Sequence, residues 1–287
     1  MKIKIGTRKS KLALVQTDMV IKEIKTKYPH CETEIVHIST KGDKHLDKPL
    51  TAFGGKGAFV TEIEEALKNK VIDIAVHSAK DLPITIAEGL AISAVLKRGD
   101  YRDVLVTRKG TELKNSSDFI VGTGSLRRRG NMKRLYPAVG FADIRGNVDT
   151  RLKKLENGLY DGVILAAAGL ERAGLYAPER FDYQPFDYTE FLPAPCQGII
   201  AVESRQNDSL VPLLESINDK NTFYAFQTER SIIQRLGGDC SVPLGAYSFI
   251  EGENMTVAVS KDGGKIKAAT AEISERLILA EELISCL

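Results

Sequence analysis

The opening residues KIKIG alternate polar and apolar side chains as a half-buried strand does. Ser10 stands where it can cap the helix that follows, KLALVQTDMVIKEIKTKY. TEIVHIST reads as a second strand, and AFVTEIEEALKN places Phe59, Ile63, Ala66 and Leu67 on one helical face. IDIAVHS is an apolar run of strand length followed by the loop AKDLP, and LAISAVL is a further strand. Residues 41–55 carry Gly, Pro and charge without apolar periodicity and read as a mobile loop. Strands alternating with helices predict an α/β domain on a largely parallel sheet.

The alternation restarts at DVLVTR. DFIVGTGS, GFADIR and YDGVILAAAG read as strands, and LRRRGNMKRLY, NVDTRLKKLEN and LERAGL as helices, giving a second α/β unit of similar size. Residues 176–195 are rich in Pro, Tyr and Phe and read as a linker, while GIIAVES reads as a strand returning to the first sheet. The last part differs. NTFYAFQTERSIIQRLG is a helix, and LGAYSFIE, MTVAVSKDGG and KIKAATAEI alternate like antiparallel strands with glycine-containing turns. SERLILAEELISCL closes the chain as a helix. The expected fold is α/β, with domain 1 over 1–98 and 193–216, domain 2 over 99–192, and a small α+β domain with an antiparallel sheet over 217–287.

A chain of 287 residues accommodates two or three such domains. Its net charge of +2 does not imply a wholesale coating of nucleic acid, so electrostatic arguments rest on local clusters. The four cysteines, Cys31, Cys196, Cys240 and Cys286, are far apart and form no CxxC pair, which argues against a metal centre or a disulfide framework and for reduced thiols. The basic start lacks the apolar core of a signal peptide, and no stretch approaches the roughly 20 apolar residues of a membrane span. The expectation is a cytoplasmic protein.

Arg8, Arg127, Arg128, Arg145, Arg151 and Arg172 stand at or just after predicted strand ends. Ligands of open α/β sheets bind at those ends, and guanidinium groups hold carboxylates or phosphates bidentately. Each arginine alone reads equally well as a solvated helix start; the set points to a ligand with many anionic groups. VGTGSLRRRGN exposes backbone N–H groups before a helix and suits an anion, although it is not a GxGxxG fingerprint. RRRGNMKR lacks the aromatic platform of an RNA-binding surface. VHSAKDLP delivers Ser78, Lys80 and Asp81 to a loop where a carboxylate could accept protons or stabilise a cation. Taken alone that loop reads more readily as an ordinary exposed turn, and His77 as a packing residue. In LGGDCSVPLG, Gly237, Gly238 and Pro243 punctuate the surroundings of Cys240, as suits a thiol that presents its sulfur. None of the four histidines has the signature of its base, so Cys240 reads as a residue that attaches something once. Cys196 and Cys286 read as structural.

The motifs IGTRKSKLALVQT, GGKGAFVTEIEEAL, DIAVHSAKDLP, GTGSLRRRGNMKRLYP, IRGNVDTRLKKL, LAAAGLERAGL, PAPCQGIIAVESR and ERSIIQRLGGDCSVPLGAY cover essentially the whole chain in this order. Together they resemble the porphobilinogen deaminase family. The resemblance implies two α/β domains like those of periplasmic binding proteins flanking an active cleft, and a third domain carrying the cysteine loop. It implies a transferase of tetrapyrrole and haem biosynthesis. Such an enzyme condenses porphobilinogen units head to tail, with loss of ammonia, onto a dipyrromethane cofactor held by a thioether at Cys240, and releases hydroxymethylbilane.

Carried over by motif, Asp81 would be catalytic, contacting pyrrole N–H groups and stabilising the azafulvene-like cation left when ammonia departs. Lys80, Ser78, Thr123, Ser125, Arg127, Arg128 and Gly146 would hold the cofactor. Arg8, Ser10, Arg145, Arg151, Arg172, Gln197 and Lys56 would hold the acetate and propionate groups of the substrate. The implied partner is porphobilinogen alone, bound by a monomer without nucleic acid, membrane or metal. Two positions depart from the family's usual glycine. Asp239 would raise the thiol pKa of Cys240, and Cys196, if exposed, would be an oxidation site. The two-lobed organisation also suits an alternative, a non-enzymatic binder of a polyanionic small molecule with no dependence on Cys240.

Overall fold

Alternation in KIKIGT builds β1 (Lys2–Thr7), in which Ile3 and Ile5 are buried while Lys2 and Lys4 are exposed. The computed structural model describes residues 1–40, 60–237 and 243–287. These fall into two units, Met1–Gly99 with Ile199–Gln227, and Asp100–Gly198 with Thr228–Leu287.

In the first unit β1 pairs in parallel with β2 (Glu32–His37) and β3 (Ile74–Ser78). The strand expected in GIIAVES, β10 (Ile200–Arg205), joins this sheet between β3 and β4 (Leu90–Val95) and runs antiparallel to both. The sheet is therefore mixed rather than largely parallel. A parallel neighbour needs a crossover from the same sheet, and β10 arrives instead from the other unit. Both β3 and β10 are central and covered on two faces, so neither alternates. On one face Val20 and Ile24 of α1 (Lys11–Lys27) and Leu213 and Leu214 of α6 (Val211–Ser216) pack on Ile3, Ile5, Val76 and Val202. On the other, Ile63 and Leu67 of α2 (Thr61–Lys68) pack on Ala75 and Leu90.

In the second unit β6 (Ile120–Gly122) pairs in parallel with β7 (Gly140–Ala142) and β8 (Gly162–Ala166). β5 (Asp103–Arg108) runs antiparallel to β8 and to β9 (Phe181–Pro185), in the order β7-β6-β8-β5-β9. Leu152 and Leu155 of α4 (Val148–Glu156) and Leu170 of α5 (Ala167–Arg172) cover one face. Met132 of α3 (Leu126–Leu135) lies with Phe119, Phe186 and Phe191 on the other. The linker expected over 176–195 thus contains a strand and two core residues, Phe186 and Phe191, stacked at 4.5 Å. β9 is an edge strand, where Pro185 breaks no ladder on its free side.

After α7 (Lys220–Arg235), β11 (Leu244–Glu251), β12 (Asn254–Lys261) and β13 (Lys267–Glu272) form an antiparallel sheet, with Leu279, Ala280 and Leu283 of α8 (Arg276–Ser285) buried. Glu229 of α7 is fully buried and accepts the N–H of Cys196 at 2.5 Å and that of Ser248 at 2.8 Å. Cys196 is 0 % exposed with φ 62, which explains why a glycine would be at home there and removes the expected oxidation site. Cys286, expected to be structural, is exposed at the end of α8, where the helix leaves it on the outer side.

Candidate functional site

β1 and β3 are parallel neighbours, so their carboxyl ends open along one sheet edge. Arg8 follows β1 directly. Ser10 caps α1, its Oγ accepting the N–H of Ala13 at 3.3 Å. β3 ends at Ser78, whose Oγ accepts from Gln16 Nε2 at 2.8 Å and donates to Gln16 Oε1 at 3.1 Å. The N–H of Ala79 then donates to the carbonyl of Ile199 at 3.0 Å. With those two ties, Ala79–Asp81 closes into a 3₁₀ turn rather than an open loop, and Pro83 keeps Leu82 extended. Ala79 is buried, Lys80 half-buried and Asp81 exposed. Directly before them, His77 is more than a packing residue: its Nε2 meets Glu203 Oε2 of β10 at 2.8 Å, both side chains buried. Burial raises the nearby Glu64 carboxyl above its usual range, and the charge of Glu203 adds to the effect.

β6, β7 and β8 are parallel and present their carboxyl ends along one edge of the second sheet. After β6, Thr123 Oγ1 accepts from the N–H of Ser125 at 3.2 Å, and Ser125 Oγ caps α3 at Arg128 N. Arg127 and Arg128 turn inward onto Asp103, the first residue of β5. Arg127 Nη1 reaches Asp103 Oδ2 at 2.7 Å, while Arg128 Nε and Nη2 reach Oδ1 at 3.0 and 2.7 Å. The second donors are also committed, Arg127 Nη1 to the carbonyl of Leu192 at 2.7 Å and Arg128 Nη1 to that of Ile164 at 2.8 Å. Gln197 Nε2 donates to Asp103 Oδ1 at 3.2 Å and to the carbonyl of Tyr101 at 2.8 Å. One buried carboxylate therefore serves two buried guanidiniums. Burial lowers the Arg127 pKa, Arg128 lowers it further, and Asp103 opposes both.

After β7, Arg145 is exposed and Gly146 adopts φ +108, where an added Cβ would stand 2.7 Å from Thr150 Cγ2. The carbonyl of Gly146 accepts from Arg151 Nε at 2.8 Å. After β8, α5 ends on Arg172, whose Nη2 donates to the carbonyl of Gly198 at 2.6 Å and whose pKa burial pulls down to about 10.

Arg8, Ser10, Ser78, Lys80 and Asp81 thus share the edge of the first sheet, and Thr123, Ser125, Arg145, Gly146, Arg151 and Arg172 that of the second. Lys56, Asp239 and Cys240, with the loop read at 41–55, lie outside the described residues. Three partners escaped the sequence reading. Gln16 falls at the four-residue spacing of Val20 and Ile24, so a polar residue on the buried stripe of α1 was its available signal. Asp103 heads an apolar strand and Glu203 interrupts another; only burial distinguishes them from surface carboxylates.

Among the described residues no helix is long and apolar enough to cross a membrane. The family described as porphobilinogen deaminase, dipyrromethane cofactor binding domain, matches residues 3–212, and the porphobilinogen deaminase C-terminal domain matches residues 223–283. The porphobilinogen deaminase of Roseiflexus sp. is 42% identical over 98% of this chain and 95% of its own. That of Acetivibrio thermocellus is 45% identical over 92% and 89%, and that of Brevibacillus brevis 41% identical over 100% and 94%. Among solved structures, the VFT2 domain of Bordetella pertussis BvgS aligns with 82% of this chain and 92% of its own at 15% identity and a TM-score of 0.44. With both domain families matched in order along nearly its whole length, the chain belongs to the porphobilinogen deaminase family.

Proposed function

We propose that the chain condenses porphobilinogen units head to tail, with loss of ammonia, onto a dipyrromethane joined by a thioether to Cys240, and releases hydroxymethylbilane. The observation that carries this reading is the cluster of Asp103, Arg127 and Arg128. One buried carboxylate against two buried guanidiniums leaves a unit of positive charge in the protein interior. A buried charge of that kind calls for an anionic partner. A dipyrromethane carries acetate and propionate groups, so the donor set fits the cofactor that the family's domain binds. Arg172, half-buried and hydrogen-bonded to a neutral carbonyl, adds a cation beside the end of the second sheet.

When bound, the dipyrromethane supplies the pyrrole carbon onto which each unit is joined. Asp81 stands exposed on a turn tied down at Ser78 and Ala79, so its carboxylate can accept pyrrole N–H groups and lie beside the carbon that ammonia leaves. A carboxylate oriented in advance stabilises the developing cation without reorganisation at the moment of reaction. Lys80, Ser78, Thr123, Ser125, Gly146, Arg127 and Arg128 hold the cofactor. Arg8, Ser10, Arg145, Arg151, Arg172 and Lys56 bind the carboxylates of the incoming unit. Gln197 commits its amide nitrogen to Tyr101 and Asp103, and so acts by holding Asp103. In this reading the enzyme works as a cytoplasmic monomer without nucleic acid.

Intact-mass measurement tests the proposal. The purified enzyme should exceed its sequence mass by one dipyrromethane, and Cys240→Ser should not. Asp81→Asn should keep the added mass yet turn over at least about 100-fold more slowly. An active enzyme with an unmodified Cys240 would end the reading.

A further inference from the structure

The turn between β12 and β13 meets α3 at a pair of glycines. Gly130 lies two residues past Arg128, and a Cβ built on it would stand 3.0 Å from Gly263 Cα. A Cβ on Gly263 would stand 2.3 Å from the carbonyl carbon of Gly130 and 2.7 Å from its oxygen. Two backbones this close admit no side chain between them. The turn is shaped for the approach. Gly264 donates its N–H to the carbonyl of Lys261 at 2.9 Å, and Asp262 and Gly263 take φ of 57 and 69, the paired left-handed residues of a tight hairpin turn. The same turn also reaches toward the start of β11. Asp262 donates its N–H to the carbonyl of Pro243 at 2.9 Å, and Pro243 follows Cys240 by three positions in the chain.

We propose that this turn is a strut that sets the spacing between the segment entering β11 and the helix bearing Arg127 and Arg128, with Gly263 and Gly130 as positioning residues. The inference rests on the attachment of dipyrromethane at Cys240 proposed above. A ligand tethered at one end and gripped at its acidic groups by fixed guanidiniums tolerates little error in the distance between tether and grip. The strut supplies that distance through backbone contacts alone.

The test compares Gly263→Ala with Gly252→Ala in the full chain. Gly252 also has positive φ, +63, but an added Cβ there meets nothing within 4 Å, so both changes carry the same backbone strain and only Gly263→Ala presses on α3. Apoprotein is incubated with porphobilinogen, adduct growth is followed by intact mass, and hydrogen exchange of the α3 amides is read in parallel. Gly263→Ala should take up cofactor about tenfold more slowly than Gly252→Ala, raise KM more than it lowers kcat, and speed α3 exchange about tenfold. Gly130→Ala, which adds a good helix former, keeps the test open should Gly263→Ala fail to fold; it should slow uptake in the same direction. Uptake and KM in both α3-contact variants within about twofold of Gly252→Ala would overturn the strut. An adduct on Cys240→Ser would sink the anchoring reading instead, while α3 exchange would still report on the turn.

Discussion

Gln16 grips Ser78 by two hydrogen bonds, at 2.8 and 3.1 Å, and so ties the middle of α1 to the last residue of β3. The turn that presents Asp81 begins at the next residue. Replacing Gln16 by Leu keeps the volume and removes both bonds. The expected result is a loss of about 1 kcal/mol in stability and about a tenfold fall in kcat with KM little changed, because Asp81 is misplaced rather than removed. Steady-state kinetics beside urea unfolding would show it, and an unchanged kcat at the same stability loss would count against the role of that tie.

Asp103 holds two buried guanidiniums at once. Asp103→Asn leaves both cations in the interior without a counter-charge, a change of about 3–5 kcal/mol in comparable buried pairs. We expect a large drop in the urea midpoint, partly restored when the dipyrromethane adduct is present. An Asn variant as stable as the parent would remove the charge argument for an acidic ligand at this place.

Arg172 gives a pH signature. Its pKa in the folded chain, about 10, lies below the ordinary 12.5, so the unfolded chain holds the proton more tightly. Stability from this group is therefore absent below pH 10 and recovers as pH climbs from about 10 toward 12.5. Arg172→Met should raise the melting temperature of the apoprotein by about 2–4 °C at neutral pH, weaken substrate binding, and lose its thermal advantage in alkaline solution. Melting curves across that range would refute the burial penalty if the two proteins tracked each other at neutral pH.

The cysteines differ sharply in exposure. Cys196 and Cys31 are buried and Cys286 is exposed. Brief alkylation of the native protein followed by peptide mapping should label Cys286 among these three, with Cys31 and Cys196 reacting after unfolding. Prompt labelling of Cys196 would mean that the turn at 193–198 opens in solution.

Most elements were legible because their signals are short-range. Ser10 caps α1 as its position before an apolar stripe foretold, and the three alternating runs after residue 243 pair as a meander. The segment at 181–185 was missed because proline and aromatic clustering hid a strand that sits at a sheet edge. The arginine series was legible as a set. Its division was not: Arg127 and Arg128 face inward to Asp103 while Arg145 remains exposed, and no local pattern separates the two cases.

The sequence by itself determined where most strands and helices begin, which motifs the chain shares with its family, and that cations gather after strand ends. Tertiary structure alone decided which of those cations are buried and what neutralises them. The physical reason lies in distance along the chain. Capping and periodicity act within a few residues, whereas Asp103 meets Arg127 across 24 positions and Gln197 across 94, and His77 meets Glu203 across 126. Such pairings follow from which strands become neighbours within a sheet and which helices pack on it, and leave no mark on any short stretch of residues.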